Sequence, residues 1–155
     1  MASRAAIWFT ERMNKKILVI VLYVLGFFAV ATGLLAIIGG ADYVIGGPGW
    51  SGGPHTDADV DSQLRFANAY WLVAGLILWW TARDPLPRAM VTRVVLSIAV
   101  LGGLFRILSA IQLGLPLWFY WLTFGLEIIG LPLILWWHSR VFPVPMMKMG
   151  TSKKA

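Results

Sequence analysis

The sequence predicts an all-α membrane protein, a four-transmembrane-helix bundle with a glycine-rich extracytoplasmic loop between helices 1 and 2. Three observations carry that prediction. Of 155 residues, 59% are hydrophobic and nine are tryptophan, with a mean hydropathy of +0.75, far from the composition of water-soluble domains. Four stretches with few charges are long enough to cross about 30 Å of hydrocarbon at 1.5 Å per residue. The basic residues fall in alternate connections, as the positive-inside rule requires of a multi-pass chain.

The spans are expected at about 17–38, 62–82, 90–112 and 117–138. Lipid offers the backbone no hydrogen-bond partner, so each is read as a helix, and the short second and third connections set neighbouring helices antiparallel. Span one follows Lys15 and Lys16 as a secretory leader would, but its 22 uncharged residues exceed the roughly 7 to 15 of such a segment. No small-residue cleavage site follows, so a retained span is expected. Before it, residues 1–16 place Ile7 and Trp8 among Arg4, Glu11, Arg12 and Lys15, a pattern for a short helix lying in the cytoplasmic interface. Residues 139–155 form a basic cytoplasmic tail held near anionic lipid.

Orientation follows from charge. Eleven of the thirteen Lys and Arg residues lie before span one, around the second connection (Arg83, Arg88, Arg93) or after span four, and the first and third connections carry none. Both termini are therefore expected in the cytoplasm, with the chain in a bacterial plasma membrane. Spans two and four then exit at the same side, through near copies, LILWWTAR at 76–83 and LILWWHSR at 133–140. The likeness stops quickly in both directions, so it reads as a shared boundary. Trp79, Trp80, Trp136 and Trp137 are expected at headgroup level with Arg83 and Arg140 reaching phosphate, and Trp118 and Trp121 in the opposite belt.

The first connection, 39–61, holds seven glycines and two prolines, too many for a long helix, yet Tyr43, Val44, Ile45 and Trp50 are too apolar for a plain linker. It is expected to fold over the helix ends as a cap, with a short hairpin near Gly46 to Gly49. His55, Asp57, Asp59 and Asp61 alternate along its end. A calcium loop would need glycine and glutamate at its sixth and twelfth positions, which are missing; capping of span two by Asp59 or Asp61 is the expectation, and no metal site.

Apart from Arg93, counted with the basic second connection, three ions stand inside the spans: Arg65, Arg106 and Glu127. A charge at mid-span costs roughly 2.5 to 3.5 kcal/mol, so such groups are expected to face protein and to pair. Counting helical rise puts Arg106 about 9 Å and Glu127 about 15 Å below the outer boundary. Arg106 shares a small, polar face with Ala99, Gly102, Gly103 and Ser109, and span two offers Asp61, Arg65 and Asn68 at helical spacing. Pro132 lacks the N–H that would bond the Ile128 carbonyl, adding an acceptor beside Glu127. The expected site is one polar upper interior of Asp61, Arg65, Asn68, Arg106, Ser109 and Glu127, with Arg106–Glu127 and Asp61–Arg65 paired.

The segments DSQLRF (61–66), LGGLFRILS (101–109), GLP (114–116) and LEIIGLP (126–132) resemble a bacterial four-span family known as domain of unknown function 4345, over residues 17–138. The resemblance rests on Asp61, Ser62, Arg65, Arg106, Ser109, Glu127 and Pro132. Position 63 is often acidic in that family and is Gln63 here, which weakens any role for a third carboxylate. What the resemblance implies is the architecture, without a reaction.

Function is narrowed mainly by exclusion. Zero cysteines rule out disulfides, thiolate metal sites and a cysteine nucleophile. The net charge of +6 is explained by membrane topology and anionic lipid, so no nucleic-acid partner is expected. No nucleotide motif, hydrolase triad or metal-binding helix is present, so no catalytic residue and no cofactor is assigned. The expected role is a non-enzymatic accessory subunit that stabilises or modulates a larger membrane complex, its partners the bilayer and other integral subunits, with envelope lipid transport as the candidate process. A binder or membrane enzyme using Glu127 as acid or base and Arg106 for an anion competes with it. A transporter is third, since no inverted repeat is evident.

Overall fold

No proline precedes Pro48, and without one nothing in the backbone chemistry ends the first helix early. In the computed structural model, which describes residues 4–46, 58–114 and 120–143 (side chains at 4–10, 42, 45, 46, 113 and 120 aside), α1 spans Arg4–Gly46 with one non-helical residue, Gly40. The segment before span one is thus no separate interfacial helix but the first turns of α1. From Arg4 to Gly39 the rod measures about 54 Å, well past the hydrocarbon core. The expected irregular loop from Gly39 is also partly helical, because α1 resumes over 41–46. The hairpin near Gly46 to Gly49, His55, Asp57, Trp118 and the tail beyond 143 lie outside the described residues.

Helix α2 is Ala58–Arg83, with Asp59 and Asp61 in its first turn, where carboxylates meet the positive end of the helix dipole. A tight link bonds Asp84 N–H to the Thr81 carbonyl at 3.2 Å and Ala89 N–H to that of Leu86 at 3.3 Å. Helix α3 follows as Ala89–Leu113 and stops at Gly114, whose φ of 93° suits a residue without a Cβ. Tyr120–Gly125, Leu126–Gly130 and Leu131–Val141 then form one continuous rod, α4, whose middle five residues are a π-helical turn. There the Leu131 N–H bonds the Leu126 carbonyl, five residues back. Pro132 explains the wide turn: its ring would crowd the carbonyl four residues behind and it has no N–H to offer.

Among the described residues there is no strand, and three segments, Glu11–Ala41, Ala89–Gln112 and Trp121–Val141, are long and apolar enough to cross a membrane. Helix α2 has the length but carries Asp59, Asp61, Arg65 and Asn68 in its first half. The buried core is narrow. Leu22, Leu78, Ala82, Leu96 and Leu131 join all four helices, and Leu18, Ala89 and Phe142 close one end. Large side chains such as Phe27, Ile98, Phe105 and Leu133 point outward, the reverse of a soluble bundle and the expected arrangement where lipid is the solvent.

Glycines set the α1–α2 distance. A Cβ on Gly26 would stand 2.9 Å from the Gly75 carbonyl oxygen, and one on Gly75 would stand 2.7 Å from that of Gly26. A Cβ on Gly33 would lie 2.9 Å from the Leu72 nitrogen. The two backbones therefore touch along an antiparallel seam.

Candidate functional site

Breaking a helix at Gly40 frees carbonyls before the break and N–H groups after it. Arg65 and Asp61, one turn apart on α2, satisfy both sides. Arg65 Nη1 donates to the Ile37 carbonyl and, at 3.3 Å, to that of Ile38, while Ala41 N–H donates to Asp61 Oδ1 at 2.7 Å. Arg65 Nε donates to Asp61 Oδ2 at 2.7 Å. Gly40 has φ of 69°, and a Cβ there would collide with Arg65 Nη2 and Asp61 Oδ1. The hydrogen bond from Arg65 and the one from the Ala41 N–H hold the Asp61 carboxyl below its ordinary range. Asp61 thus caps the helical turn across the gap rather than α2 itself.

The second ion pair joins α3 to α4. Arg106 Nε lies 3.0 Å from Glu127 Oε2, with the Glu127 side chain 13% exposed and that of Arg106 49%. Glu127 sits in the π-turn, which the sequence did not announce. Gly103 makes room for it: a Cβ there would stand 2.7 Å from the Glu127 Cβ. The Arg106 N–H is not aimed at the oxygen, and buried Oε2 accepts no well-formed hydrogen bond. Behind the carboxylate is a cavity of about 30 Å³ between all four helices, walled by Phe28, Trp71, Leu96, Leu126 and their neighbours, enough for a water or two.

The six residues expected to share one polar interior are therefore split. Asp61 and Arg65 serve the α1 backbone, and Arg106 and Glu127 link α3 to α4. Asn68 donates from Nδ2 to the Leu64 carbonyl of its own helix at 2.8 Å, and Ser109 is exposed on α3. None of Asp61, Arg65, Asn68 or Ser109 lines the cavity behind Glu127.

The paired tryptophans divide likewise. Trp80 is exposed with the Arg88 guanidinium 4.2 Å over its ring, and exposed Trp136 has Arg140 at 5.5 Å, both suited to an interface. Trp79 instead crosses to α1, where its Nε1 donates to the Tyr23 carbonyl at 3.0 Å. Trp137 packs against Leu18, Ala89 and Phe142. Adjacent helical residues are rotated about 100° apart, so one indole of each pair faces in. Trp121 is exposed.

Three partners were not legible. Trp71 Nε1 donates to Thr32 Oγ1 at 3.0 Å, a clasp between α1 and α2. Arg93 donates from Nη2 to the Phe142 carbonyl at 2.6 Å. His138, expected at the end of span four, is fully buried beside the Phe142 ring, its nitrogens without hydrogen-bond partners. Among the described residues no cluster of three His, Asp or Glu could hold a metal.

A helical chain with three segments able to cross a membrane and ion pairs set between its rods is, by class, consistent with a multi-pass membrane protein. It belongs to the family described as Domain of unknown function (DUF4345), whose model matches residues 17–138. Neither a curated protein nor a solved structure matches the chain.

Proposed function

We propose that this protein is a non-enzymatic accessory subunit of a larger membrane assembly, which it stabilises or adjusts through the outer face of α3 and α4. The observation that carries this reading is Arg106. Its guanidinium belongs to an apolar span, yet half of the side chain is uncovered, and only 11% of the most apolar window of α3 is buried, against 28% for α1. A cation left open in hydrocarbon costs several kcal/mol, and a neighbouring subunit that covers it removes that cost.

In this reading all four helices cross a bacterial plasma membrane, both termini in the cytoplasm. Support for α2 as a span is its course: it meets α1 from Asp61 at Ala41 to Trp79 at Tyr23, so it travels with α1 across the same slab. Envelope lipid transport is the process we propose for the assembly, since nearly all of this chain lies where lipids are handled.

The test is affinity purification of the tagged full chain from native membranes in several mild detergents, followed by mass spectrometry. A stable larger complex that depends on the α3 face is the expected result, and recovery of the isolated chain throughout would overturn it. A second reading, a binder or enzyme, is favoured by the buried Glu127 oxygen facing a small cavity within a π-turn, a backbone feature frequent at functional sites. Glu127→Gln separates the two: an enzyme loses conversion of a lipid or metabolite while staying folded and abundant, whereas an accessory subunit keeps its complex.

A further inference from the structure

Below the Arg106–Glu127 pair, the outer sides of α3 and α4 leave an open trough of about 630 Å³, within the roughly 300–1,000 Å³ of ligand clefts. Val94, Ile98 and Leu101 form one wall, and Pro132, Leu135 and Trp136 the other. Its charge stands at one end only, where Arg93 lines it beside Ser139; the Ser97 hydroxyl is the one polar group along the rest of its lining. From Met90 to Leu101 the trough follows α3 for about 16 Å, close to half of a 30 Å hydrocarbon core, the depth of one leaflet.

We propose that this trough seats an acyl chain of an anionic phospholipid, with the lipid phosphate against Arg93. Charge complementarity selects that occupant. The Arg93 guanidinium is fixed by its bond to the Phe142 carbonyl and lines the trough, and among the described residues no carboxylate pairs with it. Arg83, Arg88 and Arg140 stand at the same end, and in α2, α3, α4 and their described link only Asp84 supplies negative charge there. An arginine held in place at headgroup depth above an apolar channel of one leaflet's length matches a phosphate joined to a hydrocarbon chain. A second copy of this chain would instead place an apolar helix beside Arg93 and leave the cation without an anion. The inference needs the chain to lie in a bilayer and does not need the partner subunit, since the trough ends before Arg106.

The experiment uses the purified full chain in micelles doped with equal dioleoyl phosphatidylglycerol and dioleoyl phosphatidylcholine, read by native mass spectrometry. One phosphatidylglycerol retained per chain, in preference to phosphatidylcholine, is expected. Arg93→Gln should cut that preference about fivefold, roughly 1 kcal/mol, the worth of one basic side chain near anionic lipid. Arg83→Gln, at the same end but outside the trough, should cut it by clearly less. Ile98→Trp, at an exposed position with no packing to disturb, should plug the channel and release both lipids with helicity unchanged. Equal losses from Arg93→Gln and Arg83→Gln, lipid retained by Ile98→Trp, or a dimer that excludes lipid would each overturn the proposal.

Discussion

Helices α1 and α2 meet backbone to backbone, through Gly26 and Gly75 and again at Gly33 and Leu72, and their ion pair is spent on the α1 main chain at Gly40. Helices α3 and α4 meet mainly through side chains. Their ion pair is half open, a π-turn interrupts α4, and an open trough runs along the outer side of their lower halves. The difference separates what holds the molecule together from what it offers its surroundings. The first pair is complete in itself, while the second leaves a cation and an apolar channel uncovered.

The largest expected effect is steric. Gly75→Val would push against the Gly26 carbonyl and the Val30 nitrogen, atoms that cannot swing aside, and should lower stability by about 3 kcal/mol. Gly102→Val, with nothing within 4 Å of the added carbon, should stay within about 0.5 kcal/mol. Thermal melts followed by circular dichroism in detergent measure both, and equal losses would erase the contrast between the seams.

The α3–α4 pair is tested by a charge cycle. Arg106→Gln leaves Glu127 facing an apolar cavity without its cation and should cost about 1 to 2 kcal/mol, less than a fully buried pair because Arg106 is half exposed. Glu127→Gln alone should cost less. The swap of Arg106→Glu with Glu127→Arg should recover much of the loss, and additive damage in the swap would show that the two groups do not act on each other.

A smaller effect belongs to Asp61. Its folded carboxyl titrates below the unfolded one, so its contribution is present above the ordinary carboxylate range and is lost as pH falls through the folded value. Melting temperatures of wild type and Asp61→Asn should therefore differ at pH 6 and begin to converge only once the pH falls below about 4. A gap of constant size across that range would mean that the carboxylate charge is not what holds the Gly40 break. The smallest expected change is Arg88→Ala, which removes the cation over Trp80 for about 0.5 kcal/mol.

Much of the helical layout was legible because hydrophobic length and charge spacing depend on lipid alone. The break at Gly40 was readable as a pair of glycines, but not the helix beyond it, because the groups that satisfy it, Asp61 and Arg65, arrive from twenty residues away or more. Pro132 marked a freed carbonyl, yet only the packing of Gly103 against Glu127 shows that the chain answers with a wider turn. The tryptophan pairs share one motif and split by rotation about the helix axis, which a motif does not record. His138 ends an apolar run in sequence, and it is buried because Leu18 and Phe142 cover that end of the bundle.

The most direct test of the open α3 face is photo-crosslinking in native membranes. Benzoylphenylalanine replaces either Phe105 on α3 or Phe27 on α1, two outward-facing positions of nearly equal exposure, 62% and 64%. A discrete protein adduct from position 105, with lipid adducts alone from position 27, is the expected result. Lipid adducts alone from both positions would contradict the account.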